Sequence, residues 1–392
     1  MAAFSRPDST SNSAGASPDV VVIGAGIVGL GVAWRLRQRG VAVTVLDQGE
    51  IARGASHVAG GMLAACAEAE PGEEALVRLG RYAQSLWPSF AAELESIAGH
   101  SVELRTEGTM VMAVTADDRA TLGHHLAFQQ SLGLPVEWLS GAEARKREPH
   151  LAPGMIGAAF SPEDHQVETR KLVAAIRVAA ERAGAVIRPN TPVASLVIEG
   201  ERVTGVRLAD GSVLPAGKVV LAAGAWARTI EGLPPTQRPP VRPIKGQVIV
   251  LAMDPAAPLL HHVVWAPGCY LVPRRDGRLL VGATVEEKGF DTTLTAGGIM
   301  SVLQNGWRAL PGIEELPIVE FMVGHRPGCR DDAPVLGPAA VDGLVYATGH
   351  HRNGILLAPV TADSIARLVI DGVVDPEIAP FGMERFATAR AH

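Results

Sequence analysis

The chain has 392 residues, 47 % of them hydrophobic and 19 % charged. That is enough apolar material for a large core, which excludes wholesale disorder and predicts two domains or one with a large insertion. Thirty-five basic against 41 acidic residues leave a formal charge of −6, with no basic surplus to suit nucleic acid or an anionic membrane. Three widely spaced cysteines, Cys66, Cys269 and Cys329, write neither a disulfide framework nor a zinc site and fit a reducing cytoplasm.

Residues 1–18 are rich in Ser, Ala and Pro and read as a disordered leader, since no apolar run follows a basic start. The uncharged stretch Val20 to Trp34 has 15 residues and four glycines, short of the about 20 apolar residues a spanning helix needs. A soluble protein is expected.

Ordered structure begins at Val20-VVI, a β-branched run that reads as a buried parallel strand. Helical spacing follows from Ile27 to Arg39, with Gly40 as the stop, and Val41 to Leu46 reads as a second buried strand. This is a βαβ unit. A Gly/Ala/Ser stretch, Arg53 to Ala64, leads into helical periodicity through about residue 97. Residues 101–114 read as strands, 116–149 as charged helices and 168–183 as an amphipathic helix. Strand-like runs occupy 193–198, 203–208 and 218–222. Five prolines between Leu233 and Pro243 mark a crossover, and Arg275-Asp276-Gly277 between two apolar runs marks a hairpin. The chain closes with a strand at Leu344 and a helix from Gly354 to about Ile370.

The chemistry-bearing pattern is Gly24-x-Gly26-x-x-Gly29 between strand and helix, with Asp47 closing the second strand 18 residues after Gly29. In such a unit the first glycine permits the turn, the second lets backbone approach a pyrophosphate, and the third lets helix and strand pack closely. The helix N-terminus favours the phosphate, and the acid accepts from ribose hydroxyls. A strand–Gly–helix unit that returns at 344–356 argues for a flavin rather than a nicotinamide. It makes the dinucleotide fold discontinuous, and a helix starting near Gly354 could aim its N-terminus at the flavin pyrimidine ring.

Together Gly24-AGIVG, Arg53-GASHVAGGML, Lys218-VVLAAGAWA, Pro243-IKGQ, Cys269-YLVPR, Gly324-HRPG and Gly349-HHRNGILLAP resemble the D-amino-acid-oxidase superfamily, above all its glycine oxidases of thiamine biosynthesis. The resemblance covers about residues 19–375. It implies an α/β (overall α+β) protein with a discontinuous Rossmann-type FAD-binding domain over 19–97, 157–236 and 325–392. An antiparallel-sheet substrate-binding domain would take 98–156 and 237–324. It implies FAD contacts at Gly24, Gly26, Ile27, Val28, Gly29, Asp47, Gln48, Ala55, Ser56, Gly60, Gly61, Met62 and Val193, and along His350, His351, Arg352, Asn353, Gly354, Ile355 and Leu356. Arg326, Arg352 and Tyr270 would hold the substrate carboxylate and serve catalysis, with Met62 and Ala64 nearby. His57, His351 and Ala64 depart from the family pattern, which loosens the expected selectivity for glycine.

The implied activity is oxidation of glycine, or of a similar small amine, to the imine and then glyoxylate, with O2 reduced to peroxide. The imine would feed a thiazole synthase, and the protein would be a homo-oligomer, a tetramer by resemblance. Sarcosine or D-amino-acid oxidase or dehydrogenase chemistry is the alternative; a non-catalytic flavin sensor is another. A guanidinium suits a carboxylate because its planar fork pairs bidentately and keeps its charge. Arg326 also reads as a surface arginine in a Pro/Gly loop, Tyr270 as a core tyrosine, and Lys245 as a strand-end lysine or a cation beside the flavin. Adjacent histidines (124–125, 261–262, 350–351) do not share a helical face for a metal, and none is expected. In covalent relatives the linking cysteine would align closer to Gly324 than Cys329 does, so the resemblance implies noncovalent FAD.

Overall fold

In the computed structural model, which describes residues 17–387, Val20–Ile23 is buried at every position. It pairs in parallel with Val43–Leu46 on one side and Lys218–Leu221 on the other. Leu344–Thr348 and Val186–Arg188 extend this parallel sheet, and Val335–Pro338 adds an antiparallel edge, making six strands. Strands so apolar need cover on both faces. One face receives the helix Ile27–Gln38, itself buried between Ala358–Asp371 and Thr169–Arg182. The antiparallel ribbon Val193–Glu199, Arg202–Leu208, Val213–Pro215 packs with the other in a second core cluster.

An eight-stranded sheet forms the second layer system. Its order is Ile318–Gly328, Arg242–Ala252, Arg278–Gly282, Cys269–Pro273, Val263–Ala266, Thr109–Ala113, Gly157–Ser161, Glu137–Ser140. All its pairings are antiparallel except Val263–Ala266 with Thr109–Ala113. The helix Ala296–Ala309 covers it over a core of Leu271, Leu279, Val281 and Ile313. Among the described residues no helix is long and apolar enough to cross a membrane.

The α/β class with a parallel dinucleotide sheet and an antiparallel sheet agrees with expectation. Two divisions by segment do not follow the observed pairing. Gly157–Ser161, placed with the FAD-binding segments, pairs within the large sheet. The strand Ile318–Gly328 runs through the expected boundary at 324/325. The final helix starts at Ala358, not Gly354. Pro359 explains this: proline fits a helix's first turn, whereas in an interior its ring would clash with the carbonyl four residues back. The leader, but for its last two residues, lies outside the described residues.

Candidate active site

The βαβ unit builds the first wall of a cavity of about 1070 Å³ that runs between the two sheets. Gly24 has φ +105°, and a Cβ there would lie 2.4 Å from the Ala222 carbonyl oxygen. Only glycine lets these backbones meet at the strand ends. A Cβ on Gly29 would lie 1.9 Å from the Gly24 carbonyl oxygen, so this glycine serves the strand–helix contact. Gly29 does not line the cavity. The Asp47 carboxylate accepts from the Ala25 amide at 2.7 Å and the Gly49 amide at 3.0 Å, which fixes it at the cavity wall. The Ile27 amide at the helix N-terminus donates to Ser56 Oγ at 3.0 Å.

Gly26, Ile27, Val28, Gln48, Ala55, Ser56, Gly60, Gly61, Met62 and Val193 also line the cavity, as do His350, His351, Arg352, Gly354 and Ile355. Asn353, Leu356 and Ala64 do not, contrary to expectation. Leu356 is 3 % exposed and packs in the core, where its carbonyl accepts from Trp87 Nε1 at 2.9 Å. Ala64 is likewise buried. The 350–357 turn is fixed from behind by that Trp87 bond and by Thr361 Oγ1, 3.1 Å from His350 Nε2. Burial pushes the His350 imidazole down to about 4.

The opposite wall comes from the large sheet. Arg326 pairs in register with Ile244 and donates through Nη1 to the Thr284 carbonyl at 3.1 Å. Its guanidinium lies over Gly246, where a Cβ would be 2.8 Å from Nη1. Tyr270, on Cys269–Pro273, lines the same space; burial pushes its phenol up, against the pull of the Arg326 and Arg274 charges. The sequence thus brings Tyr270, Arg326, Arg352 and Met62 to one cavity. Lys245 turns away. It is fully buried, bonds Asp291 Oδ2 at 2.6 Å and the Thr293 carbonyl, and does not reach the cavity.

Two residues escaped sequence reasoning. Arg274, 4 % exposed, donates to the Gly60 carbonyl at 2.7 Å and the Val167 carbonyl at 2.9 Å, holding the glycine turn beside Tyr270. Its place four residues after Tyr270 was a signal, since alternate strand residues share a face. Glu68 lines the cavity and pairs with Arg352, Oε2 to Nε 3.3 Å. Glu68, ahead of the other nearby acids, holds the Arg352 guanidinium above its usual range. Among the described residues no group of three or more His, Cys, Asp or Glu is placed to hold a metal.

A glycine turn opening a helix at the cavity wall, an acid at the second strand's end and a long cavity between sheets fit FAD. The model for the FAD-dependent oxidoreductase (DAO) family matches residues 19–368. The chain belongs to that family, and its cofactor is FAD. It is 35 % identical over 370 residues to a glycine oxidase of Geobacillus kaustophilus, covering 94 % of this chain and 97 % of that protein. A crystal structure of glycine oxidase from that organism superposes with a TM-score of 0.87 at 34 % identity, over 93 % of this chain and 98 % of the other. The bifunctional protein ThiO/ThiG of Trichormus variabilis is 36 % identical over 371 residues. The chain spans about half of that relative, 55 % of its length against 94 % of its own. A hydrogen cyanide synthase subunit HcnC of Pseudomonas aeruginosa is 31 % identical, over 94 % of this chain and 96 % of the relative.

Proposed function

We propose that this FAD-dependent oxidoreductase oxidises glycine. The single observation that carries the reading is the meeting of Arg326 and Tyr270 in the cavity whose far end is the dinucleotide cradle. The similarity to glycine oxidases supports it. Glycine offers almost no apolar surface, so its carboxylate must supply both affinity and orientation.

Gly24, Gly26 and Ile27 would hold the pyrophosphate, Asp47 the adenosine ribose, and the Gly60–Met62 turn with His350–Ile355 the isoalloxazine. FAD, when bound, supplies the two-electron acceptor for the substrate's α-hydride and passes those electrons to O2. The protein's own part is positional. Arg326 takes the carboxylate, the Tyr270 hydroxyl donates to it, and the shared grip presents the α-carbon in one orientation. Burial keeps the Tyr270 phenol protonated, hence a donor rather than a second anion. The amine enters neutral and needs no protein base; water then hydrolyses the imine. The overall balance is glycine, O2 and water to glyoxylate, ammonia and hydrogen peroxide.

The imine is also a fitting donor for a thiazole synthase, which the fusion named ThiO/ThiG supports. The test is product stoichiometry: equal amounts of glyoxylate, ammonia and peroxide from glycine in air support the reading. Turnover of sarcosine or D-alanine with none of glycine overturns it.

A further inference from the structure

Arg352 reaches the substrate side of the cavity already partnered. Glu68 sits 3.3 Å from its Nε, and Glu70, Glu73 and Asp332 line the same stretch of wall. The Glu68 position is built rather than incidental. Two residues ahead of it the Cys66 amide donates to Asp164 Oδ1 at 3.0 Å, and the next amide, Ala67, donates to Asp164 Oδ2 at 2.6 Å. Asp164 is fully buried and takes a further bond from Gln84 Nε2 at 3.0 Å. Gln84 in turn donates to the carbonyls of Leu63 and Glu163 at 3.0 and 2.6 Å. The backbone entering Glu68 is therefore pinned, and its carboxylate is delivered beside Arg352 on an ordered loop.

We propose that Glu68 sets the charge of the accepted substrate. By occupying Arg352 it leaves Arg326 to meet the substrate, so the site takes amines bearing one carboxylate and rejects amines bearing two. The inference rests on the amino-acid reading above.

The physics is a comparison of two arrangements. A substrate with one carboxylate satisfies Arg326 and turns its other atoms toward a wall whose charge is already balanced at Arg352. A second carboxylate would have to face Glu68, with Glu70, Glu73 and Asp332 behind it. Like charges brought together in a partly desolvated site repel strongly. To bind a diacid productively the chain would need Arg352 unpartnered, and Glu68 is the residue that denies it. The repulsion grades with charge: neutralising Glu68 removes one carboxylate and frees one guanidinium in a single step. Burial pushes the Glu68 carboxyl up, and the Arg352 charge beside it opposes that rise.

The test compares glycine with iminodiacetate, a secondary amine carrying two carboxylates, in FAD-loaded wild type, Glu68→Gln and Glu68→Asp. Alongside kcat/KM, acetate and malonate are titrated while the flavin spectrum is followed, which reads binding without turnover. Wild type should bind acetate at least about tenfold more tightly than malonate. Glu68→Gln should raise both the iminodiacetate-to-glycine and the malonate-to-acetate ratio by at least about tenfold, and Glu68→Asp should keep the wild-type ratios. Ratios in Glu68→Gln within about twofold of wild type overturn the inference. Wild type binding malonate as tightly as acetate overturns it too, whether or not the variant folds. Either failure while glycine still bleaches the wild-type flavin leaves glycine oxidation standing; absence of bleaching by glycine removes that reading and this one with it.

Discussion

Arg326 Nη1 lies where a Cβ on Gly246 would stand 2.8 Å away. The two residues sit on paired strands, Gly246 opposite Gly324, so the guanidinium folds back across its neighbour strand two residues from its own position. A missing side chain on one strand makes the room in which the guanidinium of the other, the proposed carboxylate-binding group, lies.

Gly246→Ala should therefore cost little stability, because the group displaced is the flexible end of a long side chain. It should cost activity. Moving a positioning group by about 1 Å can lower a rate by about a hundredfold, and kcat/KM for glycine should fall by at least about tenfold. Thermal melting and FAD content should stay near wild type. A fall in melting temperature with unchanged kcat/KM would show that Gly246 serves packing alone.

Asp47→Ala should loosen FAD. Its carboxylate is fixed by the amides of Ala25 and Gly49, and losing a charge-assisted acceptor at the ribose costs about 1–3 kcal/mol. Dialysis against buffer should strip the variant at concentrations where wild type stays yellow. Full retention of flavin would contradict the ribose assignment.

How far the site was legible follows from distance along the chain. The βαβ unit, its glycines and Asp47 lie within thirty residues, so period, turn and acid can be read together. The pairing of Arg242–Ala252 with Ile318–Gly328 joins segments far apart, and nothing local in either run announces its partner. The sequence could propose Arg326 but not the Gly246 that makes room for it. The helix Ala296–Ala309 was missed because its first turn contains two glycines, poor helix formers. Glu68 was missed for another reason. It opens an acidic, Pro/Gly-containing run that reads as a solvated turn, and only the fold sets it against Arg352.

His350 gives a pH dependence. It is 3 % exposed, and burial lowers its imidazole to about 4 from an ordinary value of 6.5. The folded state thus favours the neutral ring, while the unfolded chain takes up a proton below about pH 6.5. Stability from this residue is full above that pH and is lost as pH falls toward 4. The limit is about 3 kcal/mol for a difference of this size. Melting temperature should fall between pH 6.5 and 4, and His350→Asn should flatten that fall. An unchanged slope in the variant would assign the acid sensitivity to other groups.

Arg326→Ala should reduce kcat/KM for glycine by at least about a hundredfold, or about 2.7 kcal/mol. Arg326→Lys keeps charge but loses the planar fork and should fall between that and wild type. A primary amine without a carboxylate should react alike in all three proteins.

The most direct measurement mixes glycine anaerobically with oxidised wild type and with Arg326→Ala, each carrying its full FAD. The wild-type yellow colour should bleach and return on admitting air, while the variant, with the same flavin content, should stay yellow at that glycine concentration. A variant that bleaches at the wild-type rate, or a wild type that glycine does not bleach, would contradict the assignment of Arg326 as the group that holds glycine for oxidation.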